Sequence, residues 1–203
     1  MASTEHHAGH EDHHTTTGVS HNKMLMWSFL ASDCMFFGTL IMMYMVYRPD
    51  MAELGGLGPN DLLNIPFSSL MTFVLLMSSL AFVLGLSALQ RGNLPGMRVW
   101  LSATAVLGLL FLGGEGFEYY HFYHDGLTLS ANIFGTAYFV TTGFHKFHVL
   151  IGVLWLLAIV AMSFRGQVPK ERQEMVEIAG LYWHFVDIVW IVIFTFVFLV
   201  PYQ

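Results

Sequence analysis

Apolar residues fall into five long runs, roughly 24–47, 66–90, 98–122, 133–163 and 177–200, each separated from the next by a short polar break. An α-helix needs about 20 predominantly apolar residues to cross the hydrocarbon core of a bilayer, so every run is long enough to span one. The breaks carry the residues that end helices. Arg48-Pro49-Asp50 is followed by Gly55, Gly56, Gly58, Pro59 and Pro66, and Gln90-Arg91-Gly92-Asn93-Leu94-Pro95-Gly96 makes the second break. His124-Asp125-Gly126 makes the third, and the polar stretch 165–174, with Pro169, the fourth. The pattern predicts an all-α fold over residues 24–203, a polytopic bundle of five transmembrane helices without internal repeats. Residues 1–23 have no apolar run and carry His6, His7, His10, His13, His14 and His21 among Ser, Thr, Glu and Gly. Such a segment cannot bury a core and is expected to be a disordered tail. It does not read as a signal peptide, because the apolar stretch after it is too long and lacks a small-residue cleavage site.

Composition narrows the class. With 55% hydrophobic and 11% charged residues the chain is too apolar for a soluble domain. A net charge of −6 with eight Lys plus Arg leaves no basic stripe for a phosphate backbone, which excludes a nucleic-acid partner. The single cysteine, Cys34, excludes a disulfide scaffold and Cys-based zinc motifs. Five spans put the termini on opposite sides. Lys23, Arg91, Arg98, Arg165, Lys170 and Arg172 then fall on the N-terminal side and Arg48 on the other. Positive residues stay inside, so the N-terminus, tail included, is expected to be cytoplasmic and the C-terminus external. Trp27, Tyr44, Tyr47, Trp100, Tyr119, Tyr120, Tyr123 and Tyr202 cluster near span ends, as interfacial anchors do.

The informative positions are the ionisable ones inside the spans: Asp33, Glu115, Glu118, His145, Lys146, His148, His184 and Asp187. A charged Asp or Lys near the centre of a lone spanning helix costs roughly 2.5–3.5 kcal/mol on insertion scales. These side chains must therefore face protein, water or a partner, or carry a proton. His145 and His148 are three residues apart, as are His184 and Asp187, so each pair shares a stripe of its helix. His184 can donate to Asp187, or each can bond to a neighbouring helix; structural hydrogen bonding and a direct part in proton movement are both open for these pairs.

Glu115, Glu118, His121 and His124 form an E-x-x-E-x-x-H-x-x-H ladder on the third span. A di-iron centre of helix-bundle type would also need matching carboxylates and an E-x-x-H from other helices, and no other span carries E-x-x-H. Axial haem ligands approach iron from opposite faces, whereas His145 and His148 point the same way. Membrane desaturases need several His boxes, against the one H-x-x-H here. No metal or redox cofactor is therefore expected in this chain. Gly108, Gly113, Gly114 and Gly116 thin the third span, as small residues do where membrane helices approach closely. The fifth span sets Trp183, Trp190 and several phenylalanines around its polar pair, a surface suited to intrachain packing or to another membrane subunit.

Two stretches carry a resemblance. Gly180-Leu181-Tyr182-Trp183-His184-Phe185-Val186-Asp187-Ile188-Val189-Trp190 and Thr142-Gly143-Phe144-His145-Lys146-Phe147-His148-Val149-Leu150-Ile151-Gly152 are similar to the signatures of subunit III of the haem-copper terminal oxidases, with Glu118-Tyr119 and Ser32-Asp33 through Phe36-Phe37 at the expected places before them. The likeness covers essentially everything from residue 24 onward and fits the five-span version, which lacks the first two helices of the seven-span form. It implies a cofactor-free subunit beside subunits I and II, which hold the haem and copper, in a complex that reduces oxygen and pumps protons in a bacterial plasma membrane. It also implies bound structural phospholipid, support of proton uptake from the inner side and protection of the catalytic subunit; membership of a respiratory supercomplex stays open.

By the same resemblance, Asp33 stands where many cytochrome c oxidases have a carbodiimide-reactive glutamate. Lys146 replaces the usual glycine between the histidines and must find a carboxylate, a lipid phosphate or water. Glu115 stands where glutamine is common. Glu115, Glu118, Ser32-Asp33-Cys34 and the His-rich tail look like the quinol oxidase version, while the closing signatures favour a cytochrome c oxidase. A stand-alone proton transporter relaying through Asp33, Glu115 and Asp187 is the competing class, although the inverted repeats and broken helices common in transporters are not visible.

Overall fold

The computed structural model of the 203-residue chain describes residues 20–53, 64–124, 126, 128, 133–166 and 173–200, with side chains as far as Tyr47 in the first segment. Five helices follow in order: α1 (His21–Glu53), α2 (Ile65–Gln90), α3 (Leu94–His124), α4 (Ile133–Phe164) and α5 (Gln173–Phe194), the last running into a π-helical turn, Thr195–Leu199. All five are long and apolar enough to cross a membrane, and among the described residues there is no strand. The expected tail lies outside the described residues up to residue 19. Its last three residues, His21 to Lys23, already belong to α1. Similarly α5 begins ahead of its apolar run, because polar first turns at a membrane boundary find partners there. Lys23 Nζ lies 2.6 Å from Glu177 Oε2, Ser20 bonds to Glu174, and Gln173 Nε2 donates to Glu177 Oε1 at 2.7 Å.

Helix ends follow local chemistry. Asn64 caps α2, its side chain accepting from the Phe67 N–H at 3.3 Å with Pro66 in the first turn. The α2–α3 connection turns on Gly92, whose φ of 76° is a left-handed conformation that a Cβ would strain, while its N–H closes on the Leu89 carbonyl at 2.8 Å. Asn93 then caps α3 through Gly96 N–H at 3.0 Å. So short a connection holds α2 and α3 antiparallel, and theirs is the most extensive helix contact in the chain.

The helices α2, α3, α4 and α1 form an arc, each packed on the next except across the open side between α1 and α2, and α5 packs against α1, α2 and α4. In the most apolar stretch of α5, 56% of residues are buried within the chain, against 17% for α1, so α5 is the hub and α1 the periphery. Trp183 shows why the hub fits. Its indole lies between Gly108 of α3 and Gly152 of α4, and its N–H reaches Ser78 Oγ of α2 at 3.0 Å. About two turns further on, Trp190 Nε1 donates to Thr72 Oγ1 of α2 at 2.9 Å. Without water in the hydrocarbon region an indole N–H needs a protein acceptor.

Of the glycines that thin α3, Gly108 and Gly114 face packed side chains, Trp183 with Val153 and Met71 with Phe67, while Gly113 and Gly116 face open space. A Cβ at Gly108 would lie 2.7 Å from Trp183 Cη2 and 2.9 Å from Val153 Cγ2. Gly108→Ala is therefore expected to destabilise the bundle by about 1–3 kcal/mol, the usual cost of overpacking. The check is a lower thermal midpoint in detergent, with Gly113→Ala as a control that leaves it unchanged.

Candidate functional site

The eight ionisable positions do not converge on one centre; the helices sort them into three groups and one isolated ring. The first group joins α1 to α4. Asp33 Oδ2 lies 3.3 Å from His148 Nε2, with both side chains mostly buried. His148 Nδ1 sits 2.8 Å from the carbonyl of Phe144, which can only accept, so Nδ1 bears a hydrogen. Asp33 Oδ2 has no hydrogen-bond partner among the described residues, and the contact becomes an ion pair only when His148 Nε2 also carries a proton. Phe37 packs its edge on His148 at 5.2 Å between ring centroids, and the carbonyl of His148 accepts from the Tyr182 hydroxyl at 3.0 Å, tying the pair to α5.

The second group joins α2 to α5. His184 and Asp187 share a stripe, but they do not bond to each other; both turn to Ser79. Its hydroxyl donates to Asp187 Oδ2 at 2.6 Å and accepts from His184 Nδ1 at 3.2 Å. Of the two arrangements the spacing allows, the structure takes the one that reaches a neighbouring helix. Phe82 packs its edge on the His184 ring at 5.7 Å, and the second Asp187 oxygen is buried without a bond among the described residues.

The third group lies in the half of the bundle away from the N-terminus and joins α2, α3 and α4. Glu115 and Glu118 are 0% and 4% exposed. Lys146 finds a carboxylate: its Nζ is 3.1 Å from Glu115 Oε2 and 3.3 Å from the Glu115 carbonyl, and it lies over the Tyr119 ring. Glu118 Oε1 accepts from the Ser68 hydroxyl at 3.0 Å. Tyr119 bonds to Thr142, which itself donates to the Tyr138 carbonyl at 2.7 Å. The position that departs from the resemblance on α4 is thus met by the departure on α3, an added ammonium by an added carboxylate.

His145 stands alone. It is fully buried, and neither ring nitrogen has a hydrogen-bond partner among the described residues. Its ring stacks on Trp190 at 4.9 Å and meets the edges of Phe111 and Phe37. His145 and His148, although three apart, look different ways, one into an aromatic box and the other toward α1. The acidic ladder of α3 divides too, with Glu115 and Glu118 inward and His121 and His124 on the exposed side. Among the described residues, no three His, Cys, Asp or Glu side chains are grouped to hold a metal ion.

Sequence reasoning missed the neutral partners. Ser68, Ser78, Ser79 and Thr72 of α2 supply bonds to Glu118, Trp183, Asp187, His184 and Trp190. A signal was available, since six hydroxyls, at positions 68, 69, 72, 78, 79 and 87, interrupt a mostly apolar span, and four of them make these bonds.

A family model described as "Cytochrome c oxidase subunit III" matches residues 2–202. Relatives include the cytochrome c oxidase subunit 3 of Corynebacterium diphtheriae, 33% identical over 85% of this chain and 84% of its own length. The quinol oxidase subunit 3 of Bacillus subtilis is 37% identical over 88% and 86%. The cytochrome bo(3) ubiquinol oxidase subunit 3 of Pseudomonas aeruginosa is 30% identical over 96% and 92%.

Because Ser79 serves two partners, its loss and theirs should not add. Ser79→Ala is expected to cost about 1–3 kcal/mol by leaving the Asp187 carboxyl without its donor. Adding Asp187→Leu to Ser79→Ala should cost less than the two single changes summed. Thermal unfolding of the four proteins in detergent, read as a double-mutant cycle, checks the coupling; strict additivity would contradict it.

Proposed function

The chain belongs to the cytochrome c oxidase subunit III family, and from that premise we propose that it is the subunit that steadies the catalytic subunit of a proton-pumping haem-copper oxidase and supports its proton uptake. Family membership makes it a multi-pass membrane component of an oxygen-reducing oxidoreductase complex. In this reading haem and copper belong to the partner subunits I and II, and this chain contributes no redox group. It sits in a bacterial plasma membrane with the N-terminus and its His-rich tail in the cytoplasm, as the six basic residues on that side favour. Structural phospholipid covers part of the exposed apolar surface, of which α1 carries a large share through Leu25, Trp27, Met35, Met42 and Val46.

The observation that carries the reading is the Asp33–His148 contact. An acid and a base meet near the middle of two spans, 3.3 Å apart, and one of the two spans is the most weakly buried helix. A proton that enters such a pair can be held by the imidazole or by the carboxyl, and its transfer between the two leaves their summed charge unchanged. It has none of the arrangements that would carry electrons. We take cytochrome c as the donor to the complex. Quinol is the second reading, supported by quinol oxidase subunits among the relatives and by Glu115, Glu118, Ser32-Asp33-Cys34 and the His-rich tail.

Purification through this chain in mild detergent is expected to bring haem absorbance with it. Ion flux by the isolated chain in vesicles, with no haem partner, would overturn the subunit reading in favour of a transporter. Oxygen consumption by the intact complex with reduced cytochrome c or with quinol decides the donor. Asp33→Ala is expected to lower sustained turnover several-fold, most at high pH on the uptake side, with the haem spectrum unchanged. Asp33→Glu should restore it, and equal activity of Asp33→Ala across pH would refute the role.

A further inference from the structure

The group formed by Glu115, Glu118 and Lys146 has a charge count that does not close. Two carboxyls are buried in spanning helices, and Lys146 is the cation that acts on both. The other titratable groups facing them are Tyr119 of α3, Tyr138 of α4 and Tyr44 of α1, which supply no positive charge. From α2 comes the neutral hydroxyl of Ser68, and from α5 the rings of Trp190 and Phe198, packed on His145 and Tyr138. Fully ionised, the group would bury one uncompensated negative charge, at a cost of several kcal/mol in a spanning segment.

The atoms say which carboxyl is uncompensated. The ammonium of Lys146 is paired with Glu115, 3.1 Å from Oε2 and bonded to the backbone carbonyl with Tyr119 beneath it, so Glu115 has its counter-charge even though neither of its carboxyl oxygens accepts a hydrogen bond among the described residues. Glu118 has one neutral donor, Ser68, on Oε1, and its Oε2 is buried without a partner. The hydroxyl of Tyr138, 0% exposed and close enough to feel both carboxyls, is likewise without a partner among the described residues. An orphaned carboxylate oxygen is far costlier than an orphaned carboxylic O–H. A protonated Glu118 also offers the donor that its carboxylate lacks.

We propose that Glu115, Glu118 and Lys146 form a one-proton binding site in the half of the bundle away from the N-terminus, with the ion pair Lys146–Glu115 as its fixed neutral base and the proton on Glu118. The site is separate from the Asp33–His148 pair, which shares α4 with it but joins that helix to α1 through other side chains. It does not depend on the donor to the complex or on the role of Asp33. Its ligand is a proton delivered from water, and binding breaks no covalent bond other than the O–H of the donor.

The test is infrared spectroscopy of the intact complex, where a protonated carboxyl shows a C=O stretch that shifts in heavy water and a carboxylate does not. Subtracting variant from parent isolates this chain's groups. Glu118→Gln is expected to remove one such band, and Lys146→Gln to add one as Glu115 takes up a proton in place of its lost counterion. No loss in Glu118→Gln would overturn the site. Loss of a band in Glu115→Gln would also overturn it, because the ion pair would then be a neutral contact. If Glu118→Gln does not assemble, Ser68→Ala decides. Removing the hydroxyl bond to Oε1 must raise the C=O frequency of a protonated Glu118, and an unshifted spectrum in that region would show that Glu118 is ionised. Failure here leaves the subunit assignment standing, since that rests on haem co-purification.

Discussion

A spanning helix satisfies its own backbone in lipid, but its polar side chains have no water to fall back on, and the whole bundle is organised around that shortage. Serines and threonines of α2 are the answer. They form a row of small hydroxyls along one face, each able to accept and donate at once, and α5 turns its two indoles, its imidazole and its carboxylate onto that row. A bond between membrane helices contributes on average about 0.6 kcal/mol, so no single one holds the structure. Their joint effect is positional: they fix the rotation of the hub helix, and with it the directions in which α1, α3 and α4 meet it.

Charge is treated differently from polarity. The ion pair on α3 and α4 and the acid–base contact on α1 and α4 each place opposite charges, or groups that can exchange one proton, within about one hydrogen-bond length. Buried carboxyl oxygens without a hydrogen bond among the described residues remain on Asp33, Glu115, Glu118 and Asp187. Asp33 and Glu115 face a basic side chain, so the open oxygens of Glu118 and Asp187 mark where a proton or a neighbouring subunit has something to add.

The five spans were legible because a bilayer imposes a length and a polarity that few other environments do, and Pro, Gly and Asn residues marked the later breaks; the first did not fall where expected, since α1 continues through Pro49 to Glu53. The helix ends were less so, since Lys23, Gln173 and Glu177 continue a helix for reasons of hydrogen bonding that apolar counting does not see. The site was legible as a set of residue types. Its partition was not. Periodicity put His145 beside His148 and His184 beside Asp187, yet a side chain's partner is set by the helix across from it, and nothing in one chain's sequence fixes which helices adjoin. Lys146 shows the limit from the other side: the need for a counter-charge could be read directly, while its identity as Glu115 required the contact of α3 with α4.

The π-helical turn at Thr195–Leu199 adds a residue without adding a turn. A straight α-helix would place Val197 and Phe198 on faces about 100° apart; the widened turn buries both. Phe198 then lies flat against Phe194 and reaches Tyr138 and Trp190. The end of the hub thus acts as a stopper beside the aromatic box of His145, a buried imidazole whose ring nitrogens have no hydrogen bond among the described residues.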